Sequence, residues 1–175
     1  MRTRAFVLAV LLSATVTLSA QENERIKYSN ITEFGMITAS PMGIGGEGTT
    51  VQGIAIDKQH LLGLGVGIGL NSHFHYLAAY MPIFVNYRYY FNPNKKFSPH
   101  VNASLGGLIV EDGGGIYSTL TAGFKAGYFS FSSGLSFMAV NEKMYWRDWV
   151  YNIPNKSYGY WSFPFGITLK CGFTF

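Results

Sequence analysis

Glu33, Arg88, Lys125 and Lys170 are charged residues set in segments whose other residues alternate in polarity. Alternation sends neighbouring side chains to opposite faces of a β-strand, so these four share the face opposite the apolar one. One acid among three bases, with Asn86 and His100 on the same face, can build charge-assisted hydrogen bonds away from water. Two kinds of chemistry are open to such a set. It can carry protons or ions along the inside of a closed sheet, or it can be a structural plug that ties strands together.

Other patterns offer less. Gly43-Ile44-Gly45-Gly46-Glu47-Gly48 fits the G-x-G-x-x-G spacing. That fingerprint needs a helix behind it to receive a phosphate, and Thr49-Thr50-Val51-Gln52 favours a strand instead, so residues 41–48 read as a loop. His73 and His75 flank Phe74 at a spacing that suits two metal ligands on one strand face, but no third ligand stands near and no metal is expected. Ser72 beside His73 supplies the residue types of a hydrolase without any surrounding motif, so no catalytic residues and no cofactor are expected. Cys171 is the single cysteine, which excludes a disulfide within the chain. Asn141 to Tyr160 differs in kind, packing aromatic rings around Lys143, Arg147, Asp148 and Lys156. Trp, Tyr and Arg are enriched at recognition surfaces, which makes Trp146, Arg147, Trp149 and Tyr151 the expected contacts of a binding loop. The competing reading is a stiff hairpin whose strands simply continue, with rings stacked across it.

The elements that must hold these residues are strands. From Trp161 to Phe175 every odd position is apolar and every even one is small, polar or charged. That period of two gives a strand with one apolar and one polar face. Eight strands can be placed, near residues 30–40, 49–56, 60–71, 80–91, 98–110, 116–127, 128–140 and 161–175. Leu62, Leu64, Val66, Ile68 and Leu70 line one face of the third, with Gly63, Gly65, Gly67 and Gly69 on the other, a row with room for long charged side chains. Short connections are expected at 57–59, 92–97 and 126–128, and longer ones at 41–48, 72–79, 111–115 and 141–160. Pro82 and Pro164 fall near strand ends and Pro99 opens a strand, where a missing N–H is tolerated.

The ends and the composition narrow the class. Arg2 and Arg4, the apolar run Ala5 to Val16 and Leu18-Ser19-Ala20, which puts a small residue before the cut, read as a secretory signal peptide over residues 1–20, which leaves 21–175 as one domain. Taking those two Arg from the 13 basic residues leaves 11 against 9 acidic, a balance that implies no nucleic-acid partner. Past residue 20 no apolar run is long enough for a transmembrane helix. Yet 48% of residues are hydrophobic, 17% aromatic and only 13% charged. A transmembrane β-barrel reconciles these facts, because its signal per strand is weak and alternating. The fold expected is all-β, an eight-stranded antiparallel up-and-down transmembrane barrel, with both termini on the periplasmic side.

LLGLGVGIGL at 61–70, MPIFVNYRYYF at 81–91 with SPHVNASLGG at 98–107, and the terminal GITLKCGFTF resemble segments of the small outer-membrane-protein β-barrel family, the OmpA/OmpX-like eight-stranded barrels of Gram-negative bacteria. The resemblance covers about Asn30 to Phe175. It implies an outer-membrane location, outer-membrane lipid as the surroundings, and Phe173 and Phe175 as the signal read by the barrel-assembly machinery. It says little about role, because members of the family serve as adhesins, stabilisers, receptors or lipid enzymes on one scaffold. The expected function is therefore structural, or surface interaction through external loops with an unknown ligand. A lipid-modifying outer-membrane enzyme and a soluble periplasmic ligand-binding barrel are the alternatives.

Overall fold

A computed structural model describes residues 25–40, 43–73, 76–110, 113–146 and 156–175. They form nine strands: β1 (Ile26–Ser40), β2 (Gly43–Ile56), β3 (His60–His73), β4 (Tyr76–Tyr90), β5 (Phe97–Val110), β6 (Gly113–Ala126), β7 (Phe129–Trp146), β8 (Lys156–Ser162) and β9 (Phe165–Thr174). There is no helix among the described residues. From β1 to β8 each strand pairs antiparallel with the next, and β9 pairs with both β7 and β1, so the sheet closes. β8 and β9 are two parts of one stave. Phe165 faces Phe137 and Ser162 faces Val140, an unbroken register, and the gap falls at Pro164, which has no N–H to give the ladder. Its carbonyl still accepts from the Met138 N–H at 3.0 Å. The architecture is thus a closed, all-β, eight-stranded antiparallel barrel.

The register sets the barrel's dimensions. Passing from partner to partner, from Ile26 through Ile56, His60, Tyr89, Val101, Ala122, Ser133 and Leu169, the path returns to β1 at Met36, ten residues along. A ten-residue stagger over eight strands corresponds to a tilt of about 40°. At that tilt, strands of this length rise about 35 Å along the axis.

One end carries the turns seen in the sequence. Asp57 and Lys58, with φ of 50° and 59°, form a left-handed turn closed by the Gln59 N–H on the Ile56 carbonyl at 3.1 Å. Gly127, φ 63°, takes the first central position of the tight β6–β7 hairpin, where an L side chain would be strained. The two ends of the barrel chain meet here: Asn30 and Phe175 exchange both backbone hydrogen bonds at 2.8 Å.

At the other end the strands run much further than expected. Residues 43–48 belong to β2, 72–73 to β3, 76–79 to β4, 113–115 to β6 and 141–146 to β7. The expected long connections at 41–48, 72–79 and 111–115 therefore shrink to two residues each, and the expected alternation of short and long connections fails for three of the four. Glycine is the physical reason. It is depleted in strands, so a Gly-rich run reads as a loop. Here the glycines permit close strand approach: a Cβ on Gly45 would lie 2.6 Å from the Leu70 carbonyl oxygen. Pro82 is likewise well inside β4 rather than near its end, and the β3–β4 ladder skips Gly67 and Ile68 opposite it.

The wall is sided. Outward positions of β3 and β9 are occupied by exposed Leu62, Leu64, Ile68, Ile167, Leu169 and Phe173. Among the strand residues whose side chains are described, no Asp, Glu, Lys or Arg occupies an outward-facing position. Aromatic rings cluster near the turn end, where His60, Tyr89 and Phe91 touch in series, as do Phe97, Phe124 and Phe131, and Phe129 with Phe173.

Candidate functional site: the polar interior

β1, β2, β4 and β9 each bury one charged side chain inside the barrel because that residue shares parity with the inner face of its strand. Glu33, Glu47, Arg88 and Lys170 are all buried. They form two ion pairs. Arg88 Nη2 donates to Glu33 Oε1 at 2.6 Å, and Lys170 Nζ donates to Glu47 Oε1 at 2.7 Å. Buried charges persist only when paired and further hydrogen-bonded. Both pairs meet this requirement, in different ways.

The Glu47 carboxylate is an acceptor for three donors. Besides Lys170, Tyr117 OH donates to Oε1 at 2.8 Å and Tyr80 OH to Oε2 at 3.2 Å. Lys170 Nζ also donates to Tyr117 OH at 3.2 Å. The Tyr117 ring packs on Phe84 at 5.3 Å between centroids, within an apolar cluster that includes Leu108, Met138 and Val140. The Arg88 pair is set instead among amides and hydroxyls. Arg88 Nε lies 3.5 Å from Asn102 Oδ1, Asn86 Nδ2 donates to Asn102 Oδ1 at 2.6 Å and to Ser104 Oγ at 3.0 Å, and Asn102 Nδ2 reaches Thr121 Oγ1 at 3.4 Å. His100 is buried beside them and packs on Tyr90 at a tilt, with ring centroids 5.5 Å apart.

The four residues singled out from the sequence do not form one network. Glu33 and Arg88 pair with each other, and Lys170 is held by an acid that the sequence reading left in a loop. Lys125 belongs to neither pair. It is half-buried near the turn end, with Nζ 5.5 Å from the Tyr90 ring centroid. The picture of one acid facing three bases is therefore corrected to two acids and two bases. Glu47, Tyr80 and Tyr117 were missed. One signal could have found Glu47: it shares odd parity with Thr49 and Val51, which an uninterrupted strand would turn inward together.

The glycine row of β3 also serves differently from expectation. The space is taken by rings, not by charged side chains: Phe84 lies over Gly65 and the Tyr80 ring over Gly69. A methyl group at either position would collide with the ring above it.

The remaining candidates are placed as follows. Phe173 and Phe175 point outward at the turn end, packing on Phe129 and Tyr128 at 6.1 and 6.0 Å between centroids. Cys171 is exposed on the same face. Ser72 faces outward from β3 and His73 ends that strand, while His75 is outside the described residues. Trp146 is the last residue of β7, paired with Lys156, and Arg147, Trp149 and Tyr151 are outside the described residues. β7 extends past Glu142, its last residue paired with β6, opposite Gly113, so that Lys143 to Trp146 pair with β8 alone. The strands thus continue as a paired hairpin beyond the barrel wall: of the loop expected at 141–160, residues 141–146 belong to β7 and 156–160 to β8, and 147–155 are outside the described residues. No protein-family model matches the chain, and no curated protein matches it.

Proposed function

We propose that the chain is a small integral outer-membrane β-barrel protein of the OmpA/OmpX-like kind, filled by its own side chains, with a structural role or a surface-interaction role through its β7–β8 hairpin. One observation carries this reading: the barrel is apolar outside and charged inside. A soluble barrel buries its apolar residues and turns charges to water. Here Leu64 is 69% exposed and Arg88 is 0% exposed. In water such a surface would aggregate, whereas lipid makes it the favourable arrangement.

Dimensions support the same reading. A wall of about 35 Å exceeds the ~25 Å apolar band of such barrels and leaves its rims in the interfaces. Aromatic residues near the turn end suit an interfacial girdle. Eight strands leave an interior just wide enough for side chains to fill, so the barrel conducts no open stream of water or ions. The sidedness argues against a soluble ligand-carrying barrel, whose core would have to be apolar. The turn end, where both ends of the barrel chain meet, faces the periplasm in this reading, after cleavage of the signal peptide, and Phe173 and Phe175 engage the assembly machinery.

Expression in a Gram-negative host followed by fractionation tests the proposal. The folded protein should sediment with outer membranes and should run faster on a gel unboiled than boiled. Recovery of the folded chain in the soluble periplasmic fraction would overturn it.

A further inference from the structure

The turn end of the barrel opens into a cavity of about 300 Å³. Five lysines line it: Lys27 from the start of β1, Lys58 from the β2–β3 turn, Lys95 and Lys96 from the β4–β5 turn, and Lys125 from the end of β6. They come from four separate segments, so the cluster is made by closure of the sheet and not by a run of charge. No Asp or Glu lines the cavity. A carboxylate on Phe175, which also lines it, would still leave four of the five positive charges unbalanced. Neither of the two ion pairs among the described residues uses any of these lysines.

Two further features point to a ligand. Ser98 and Thr174 line the same cavity, are 3% and 4% exposed, and their hydroxyls have no protein partner. Buried hydroxyls are normally hydrogen-bonded. Lys125 is half-buried and aligned on the Tyr90 ring, with no carboxylate in reach. Gathering like charges around one concave space costs Coulomb energy that an anion would relieve.

We propose that this vestibule binds a small, multivalent, phosphate-bearing anion. Lysine is a point charge, and several of them converging from different sides suit the distributed oxygens of a phosphate. A planar carboxylate is best met by the fork of an arginine, and no arginine lines the cavity. The volume is at the small end of ligand sites, which suits a pyrophosphate, a sugar phosphate or a lipid headgroup. The site stands on the geometry of the barrel mouth and holds wherever the barrel resides.

Calorimetric titration of the folded full chain in zwitterionic detergent at low salt, with inorganic pyrophosphate as the probe, tests the site. One saturable site is expected, weakened at least about tenfold in Lys95→Gln/Lys96→Gln and in Lys125→Gln. It should be unchanged in Lys156→Gln, at the opposite end of the barrel. Lys95 and Lys96 are exposed on a turn, so the double variant will fold, which unchanged gel heat-modifiability checks. A second arm distinguishes the source: native mass spectrometry of the barrel in phosphatidylcholine nanodiscs doped with phosphatidylglycerol. Retention of phosphatidylglycerol by the parent and not by the lysine variants, without pyrophosphate binding, assigns the site to a lipid headgroup. Binding of neither probe, equal binding by all variants, or equal binding of succinate would overturn the proposal.

Discussion

Leu169 and Lys170 are neighbours on β9 and are solvated in opposite ways. Leu169 is 46% exposed on the outer face, while Lys170 is 4% exposed and hydrogen-bonded to Glu47 and Tyr117. The same step from outside to inside recurs along β4, from Ile83 to Phe84, Val85 to Asn86 and Tyr87 to Arg88. The wall is one residue thick, and each strand is a partition between two media. On the outer side the apolar residues need no partner, and the few polar ones, such as Thr32, Thr50 and Gln52, bond to neighbours on the same face. On the inner side each fully buried charge must find a partner, because water has been replaced by other side chains. The outer face therefore tolerates exchange of one apolar residue for another, while the inner face depends on pairs drawn from distant strands.

The sharpest way to break this contrast is to remove an inner acid. Glu47→Ala leaves Lys170 buried without a carboxylate and deprives two tyrosine hydroxyls of their acceptor. A loss of about 3–5 kcal/mol or more is expected in urea unfolding of the reconstituted barrel. Glu33→Ala removes one ion-pair partner and should fall at the low end of that range, since Arg88 still has Asn102 in reach. If the two variants were reversed in order, the ranking of the pairs by donor count would be wrong. Next in size is a charge on the outer face. Leu169→Arg should cost about 2–4 kcal/mol when the barrel is folded into lipid bilayers. The inward-facing Thr168→Ser, one residue away, should hardly move the midpoint, and equal effects at the two positions would erase the assigned phase.

A third contrast concerns glycine. Gly65→Ala drives a methyl group into the Phe84 ring, and overpacking of this kind costs typically about 1–3 kcal/mol. Gly107 faces outward with open space around its would-be Cβ, so Gly107→Ala should leave stability almost unchanged. The smallest effect is expected from Lys95→Ala in the exposed β4–β5 turn, whose unfolding midpoint should coincide with that of the parent. A clear loss there would mean that the turn lysines support the fold itself.

Much of this was legible along the chain. Strict alternation from Trp161 to Phe175 reads directly as an outer and an inner face, and parity alone turns Glu33, Arg88 and Lys170 to the polar side. The connections at 57–59 and 127–128 follow from local turn chemistry. The error at residues 43–48 arose because glycine carries two opposite meanings. Isolated from its neighbours, a Gly-rich run has no reason to be extended. Beside Leu70, Asn71 and the Phe34 ring, it is the composition that lets two strands and a ring come close.

Periodicity, composition and turn residues determined the class of the molecule: strands, their number and their two faces. These are properties of residues two positions apart, and the chain displays them without folding. Which inner residues meet was decided only by closure of the sheet. Lys170 and Glu47 lie 123 residues apart and on non-adjacent strands, brought together across the interior. Their meeting depends on the ten-residue stagger between β1 and itself around the barrel, a sum of eight registers that no single segment contains. The lysines of the turn end converge for the same reason, because a ring of short turns on a closed wall gathers side chains that the sequence keeps far apart.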